Sequence, residues 1–180
     1  MFRVQLGVFI TNKVCMNAKN LVIKKIEEQF REDFKMLNNY ALELKATNPR
    51  SNVVVVAERD NPNELPVFQK IYICLNAVRE GFLAGCRRLV GMDGCFLTGL
   101  LKGQLLVAVG RDGNNQMFPV AWAVVQKETS ETWSWFVGHL RSDLCMGEGL
   151  GWSLISDMHK VLHLTCTKYI CFLKLVLHLT

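Results

Sequence analysis

Between Arg88 and Asp157 the chain is written as three short apolar runs joined by tight turns, then an amphipathic stretch, then a fourth apolar run. That order admits few folds. Arg88 to Leu97 is apolar with Gly91 and Gly99 at its bounds and reads as a strand. Gln104 to Arg111 (QLLVAVGR) is a second strand, and Asp112-Gly113-Asn114-Asn115 is a turn, because Gly and Asn tolerate positive φ. Met117 to Gln126 (MFPVAWAVVQ) is a third strand, with Pro119 near its start, where a missing N–H matters least. Thr129-Ser130-Glu131-Thr132 then opens a helix. Ser130 is the expected N-cap, and Glu131 suits the positive end of the helix dipole. Trp133, Phe136, Val137 and Leu140 recur at helical spacing through to Leu144. The loop Cys145 to Gly151 is glycine-rich, and Trp152 to Asp157 is the fourth strand. A helical crossover from the third strand lets the fourth join the sheet in parallel.

Two of these strands carry an acid. Asp93 stands inside Leu89-Val90-Gly91-Met92-Asp93-Gly94-Cys95-Phe96-Leu97, a run expected to be a buried strand. Burying a lone carboxylate costs several kcal/mol, so a chain keeps one there when it is paired or holds a metal. Asp157 closes the fourth strand (WSLISD). Neither acid helps a strand core, and two acids on separate strands are what a divalent-metal phosphoryl-transfer site needs. One acid on the first strand of such a series and another at the end of the fourth is the layout of the ribonuclease H-like fold.

Other polar and aromatic residues have plainer explanations. Asp112 is expected to form its turn rather than to serve a metal. Trp133 is in phase with the apolar helix face and is expected in the core, whereas Trp135 is out of phase and partly exposed. His139 and His159 could ligate metal or shuttle protons, but a lone helical histidine is usually structural or solvated.

Upstream, Ala18 to Thr47 is helical: Leu21, Ile23, Ile26, Phe30, Phe34, Leu37, Ala41 and Leu44 follow the spacing, and charges fill the other faces. Asn38-Asn39 is the expected break between two helices, and Asn48-Pro49 ends the pattern. Val53 to Ala57 is a β-branched strand, and Asp60 to Pro66, with two prolines, is a linker.

The segment from Phe68 to Lys160 contains GFLAGCR, GMDGCFLTG, GQLLVAVGRDGNN, FPVAWAVV and SDMHK in that order. It resembles the core of plant Mutator-like (MULE, MuDR-type) DNA transposases, which show similar signatures. LELKATN, ending at Asn48, and Asn61-Pro62-Asn63-Glu64 are similar to the segment preceding that core. The resemblance implies an incomplete α/β, ribonuclease H-like transposase core over residues 61–160. Residues 1–60 would be a helical segment with part of a DNA-binding region, and residues 161–180 an aberrant tail. It further implies that Asp93 and Asp157 are the two aspartates of a DDE triad. They would bind Mg²⁺ or Mn²⁺ for phosphodiester cleavage and strand transfer at transposon ends in the nucleus. The triad's third acid, a glutamate on a helix far downstream, has no counterpart in the chain, so residues 1–180 alone are expected to be inactive. Self-association is a further expectation.

After Ser156-Asp157 the chain departs from the family's basic-Gln-Lys-Gly continuation, with Met158-His159-Lys160 instead. The tail VLHLTCTKYICFLKLVLHLT contains no acid and repeats VLHLT at 161–165 and 176–180, which is expected of translated non-coding sequence in a truncated transposon copy. Lys168, Lys174, His163 and His178 interrupt it, leaving no run long enough to span a membrane. An exposed, β-prone tail is expected instead.

Composition bounds the rest. The chain's 180 residues suit one domain or slightly more, half are hydrophobic, and the net charge of +5 is compatible with DNA without demanding it. The seven cysteines form no CxxC pair, so most are expected to be reduced, buried thiols, and no zinc ribbon or redox motif is supported. The first residues lack a cleavable signal pattern. Two alternatives stay beside the transposase fragment: a domesticated, transposase-derived DNA-binding or regulatory protein, and a different metal nuclease of the same fold, which fits the acids but not the motif set.

Overall fold

The computed structural model describes residues 10–59, 61, 66–98, 102–156 and 174–177. Two helices lead. Helix α1 (Asn12–Lys35) starts where the Thr11 side chain accepts from the Val14 N–H, and it buries none of its residues. The break before α2 (Leu37–Thr47) falls at Met36, not at Asn38-Asn39. The Met36 N–H bonds to Asp33 O and Phe34 O, which tightens the last turn of α1. Asn38 and Asn39 are solvent-facing and stay helical.

Seven strands form one mixed sheet: β1 (Asn52–Glu58), β2 (Val67–Cys74), β3 (Leu89–Leu97), β4 (Gly103–Arg111), β5 (Met117–Val125), β6 (Ser153–Ser156) and β7 (Lys174–Leu177). Their spatial order is β1-β2-β5-β4-β3-β6-β7. The β1–β2, β2–β5, β5–β4 and β4–β3 pairs are antiparallel, whereas β3–β6 and β6–β7 are parallel. The mixed α/β architecture and the parallel entry of β6 after a helix are as expected. Helix α3 (Asn76–Gly85) and strand β2 are elements that periodicity alone did not single out. Residues 174–177, inside the segment expected to be an aberrant tail, pair in parallel with β6; the rest of 161–180 lies outside the described residues.

The β4–β5 turn matches its chemistry. Asp112 Oδ1 accepts from the N–H groups of Asn114 (2.9 Å) and Gln116 (2.8 Å), and Asn115 takes positive φ (63°). Pro119 pairs opposite Val109, just past a register shift in β4, where its missing donor is tolerated.

Each face of the sheet has its own core. Helix α4 (Ser130–Asp143) covers one face with Trp133, Phe136, Val137 and Leu140, packed on Val90, Met92, Leu106, Ala108, Ala123 and Leu154. Its N-cap is Thr129 rather than Ser130: Thr129 and Thr132 exchange side-chain and backbone bonds in a capping box, which satisfies two end donors at once. Helix α3 adds Phe82 to this core, and its ring occupies the space above Gly110, where a Cβ would stand 2.2 Å from it. On the other face α2 sets Ala41 against Val53, Ile71 and Ile73.

At the lower end of α4 a buried carboxylate ties the layers together. Asp143 accepts from Tyr72 Oη (2.7 Å) and from Asn52 Nδ2 (3.1 Å to each oxygen), with Arg79 Nη1 at 3.8 Å. Burial and the nearby Asp143 charge push the Tyr72 hydroxyl far above its usual range, and the Cys74 thiol up to about 12 for the same two reasons. Among the described cysteines only Cys74 is buried, while Cys15, Cys95 and Cys145 are exposed, so most described thiols are not the buried hydrophobes expected. All five are free.

Candidate functional site

Asp93 is the middle residue of β3, opposite Val107 of β4. Its strand neighbours alternate: Val90 and Met92 are buried under α4, so Asp93 belongs to the opposite face, which α2 covers only farther along the sheet. Asp93 is exposed, and so are Cys95, Phe96 and Leu97. The expected buried carboxylate is therefore a solvated one. The run is apolar because its other face is core, and the desolvation cost that singled out Asp93 is not incurred.

Asp157 lies outside the described residues, as does His159. The strand leading to it does not: β6 runs parallel to β3 with Leu89 beside Ser153 and Met92 beside Ser156. Asp93 and Asp157 each come one residue after a paired position.

Asp93 Oδ1 accepts from the backbone N–H of Gly94 at 2.8 Å. Across the strand from Asp93, on the α4 side, is an acid that periodicity did not flag. Glu128 precedes α4, and its Oε1 accepts from Trp133 Nε1 (2.8 Å) and its Oε2 from Gln104 Nε2 (3.2 Å). A Cβ at Gly94 would stand 3.3 Å from Glu128 Oε2, so the carboxylate occupies the room a side chain at 94 would need. Gln104 is buried and its Oε1 has no hydrogen-bond partner.

Carboxylate oxygens suit a hard divalent cation. Among the described residues, however, no three His, Cys, Asp or Glu side chains are close enough together to hold a metal ion.

The remaining candidates are structural. Trp133 is fully buried, and Trp135 is half-buried. His139 stacks on Tyr72 (5.0 Å between centroids) and meets Trp135 edge-on (5.1 Å). Burial lowers its pKa, with Lys70 adding to the effect and Asp143 opposing it.

Residues 89–170 match the family model of the MULE transposase domain. The match opens on the first residue of β3, takes in β3 to β6 with α4, and runs past Lys160. It supports a transposase-related function. No curated protein and no solved structure matches the chain. No described helix is long and apolar enough to cross a membrane.

Proposed function

We propose that the chain carries part of the catalytic core of a plant Mutator-like DNA transposase, built on a ribonuclease H-like sheet and acting on transposon ends in the nucleus. The observation that carries this reading is the strand order β5-β4-β3-β6-β7 within and beside the MULE match. Two antiparallel pairings (β5–β4 and β4–β3) lie on one side of β3 and two parallel pairings (β3–β6 and β6–β7) on the other, and in sequence an acid falls on β3 and directly after β6. Asp93 and Asp157 are the residues that would hold Mg²⁺ or Mn²⁺. At such a site a bound divalent cation supplies activation of a water or 3′-hydroxyl and neutralisation of charge on the phosphate. The chain's own part is positional: β3 presents Asp93 to solvent at an open face, where a DNA backbone can reach it.

The test is Mn²⁺ binding to residues 1–180, followed by water-proton relaxation. Binding with a dissociation constant on the order of millimolar is expected, as suits a site with few protein ligands. It should be lost in both Asp93→Ala and Asp157→Ala, with folding checked by circular dichroism. Folded variants that bind as the parent chain does refute the assignment.

A further inference from the structure

We infer that Glu128 is a positioning residue for Asp93, acting through Gly94; this rests on reading Asp93 as a metal ligand. Glu128 is anchored at both oxygens by buried groups: Trp133 is fully buried and Gln104 is 7% exposed. Held between them, the carboxylate lies against Gly94, with 3.3 and 3.4 Å from its two oxygens to the place of a Cβ. Gly94 in turn gives its N–H to Asp93 Oδ1. Glu128 thus fills the space beside Gly94 from the core of α4, and Gly94 holds the oxygen of Asp93.

Asp93 and Gly94 pair with Val107 and Leu106 of β4, so Glu128 lies over a residue of β3 already fixed in register.

The clamp carries a local cost. A carboxylate only accepts, so Gln104 must turn its amide N–H toward Glu128 and leave Oε1 without a partner inside the protein. An orphaned buried acceptor costs about 1–3 kcal/mol, and such a group calls for an explanation. Capping the Trp133 N–H would not require it, because one carboxylate oxygen suffices for that. Fixing the carboxylate at both oxygens over Gly94 does require it.

This orphan makes the role testable by two substitutions with opposite outcomes. In Glu128→Gln the new amide keeps an oxygen for Trp133 and offers an N–H to Gln104, whose amide can flip to accept with its idle oxygen. The clamp survives without its charge. In Glu128→Ala it is gone. The readout is the Gly94 amide in ¹⁵N–¹H spectra of the 180-residue chain. At fixed pH its hydrogen-exchange rate reports whether the Gly94 N–H stays bonded to Asp93 Oδ1, with Asp93→Ala giving the rate of the unbonded amide. Glu128→Gln should retain the slow exchange and the Mn²⁺ broadening midpoint of the parent chain. Glu128→Ala should speed the exchange to that of Asp93→Ala and raise the midpoint about tenfold, the effect typical of removing a group that orients a ligand. Should Glu128→Ala fail to fold, Glu128→Asp, one methylene too short to span both anchors, takes its place with the same expected loss. The inference is overturned if Glu128→Ala or Glu128→Asp leaves both readouts unchanged, or if Glu128→Gln loses as much as Glu128→Ala, since charge alone would then be responsible. If no chain responds to Mn²⁺ while the exchange of the Gly94 amide still depends on Glu128, the positioning role stands and the metal assignment of Asp93 falls.

Discussion

Met92 of β3 and Ser156 of β6 are parallel partners, and in sequence each is followed by an aspartate. The α4 crossover produces this register. It leaves β5, packs Trp133, Phe136, Val137 and Leu140 onto the sheet, and returns the chain beside β3 running the same way. Parallel connections need a dozen or more residues, which α4 and its loops supply. The register of β6 against β3 is thus set by a helix packed on the sheet between them in sequence.

The Asp143 node should be the costliest polar site to break. Asp143→Ala leaves the Tyr72 hydroxyl and the Asn52 amide without their shared acceptor and the partly buried Arg79 without its ion-pair partner. The expected loss is about 3–5 kcal/mol, the range for removing one member of a buried charge pair. Tyr72→Phe deletes one bond and should cost about 1–3 kcal/mol. Urea unfolding followed by tryptophan fluorescence measures both. A smaller loss in Asp143→Ala than in Tyr72→Phe would show that the node is not organised around the carboxylate.

How far the sequence announced these features depends on how local their causes are. Strands β3 to β6 were legible because apolar alternation, the Asp112 turn and the helical spacing after Thr129 all lie within short windows. Helix α3 was not. It contains Gly81 and Gly85, and its N-cap, Leu75, offers no side-chain bond, so it forms because Phe82 packs over Gly110. Asp143 and Glu128 look like ordinary polar residues flanking a helix. What sets them apart are partners far along the chain, Asn52 and Tyr72 for one, Gln104 and Gly94 for the other. Asp93 was noticed for a burial it does not have, because an apolar strand with one open face reads like a fully buried one.

Gly110 should tolerate no side chain while Phe82 is present. A Cβ there falls 2.2 Å from one ring carbon and 2.7 Å from the next, far inside contact distance. Gly110→Ala forces the ring and α3 outward, at an expected cost of about 1–3 kcal/mol for overpacking a filled core. Phe82→Leu alone loses buried aromatic contact, but combined with Gly110→Ala it should cost less than the two single changes added. Thermal melts of the four-member cycle test this. Strict additivity would mean that the ring and the glycine do not share the space.

His139 should make stability fall on mild acidification. Its folded pKa lies below the ordinary 6.5, chiefly because burial disfavours the imidazolium. The unfolded chain therefore binds more protons as pH drops below about 6.5, and stability declines through that window down to the folded pKa. Above it the contribution is fully present. His139→Phe keeps a ring against Tyr72 and removes the titration, so its melting temperature should vary less between pH 7 and pH 5. An identical slope in both chains would assign the acid sensitivity to carboxylates instead.

The last expectation concerns chemistry. On the proposed reading residues 1–180 supply two carboxylates, Asp93 and Asp157, whereas a two-metal phosphoryl transfer must stabilise both the attacking and the leaving oxygen, for which the resemblance implies a third acid. The purified chain should therefore take up Mn²⁺ weakly and neither nick nor join DNA carrying transposon ends. Fusing the downstream glutamate-bearing helix of an intact relative should be needed before any strand transfer appears on sequencing gels. What is gained should vanish in Asp93→Ala and in Asp157→Ala. Metal-dependent nicking by residues 1–180 alone, absent from Asp93→Ala, would show that two aspartates on this sheet suffice and that the third acid is dispensable for the first step.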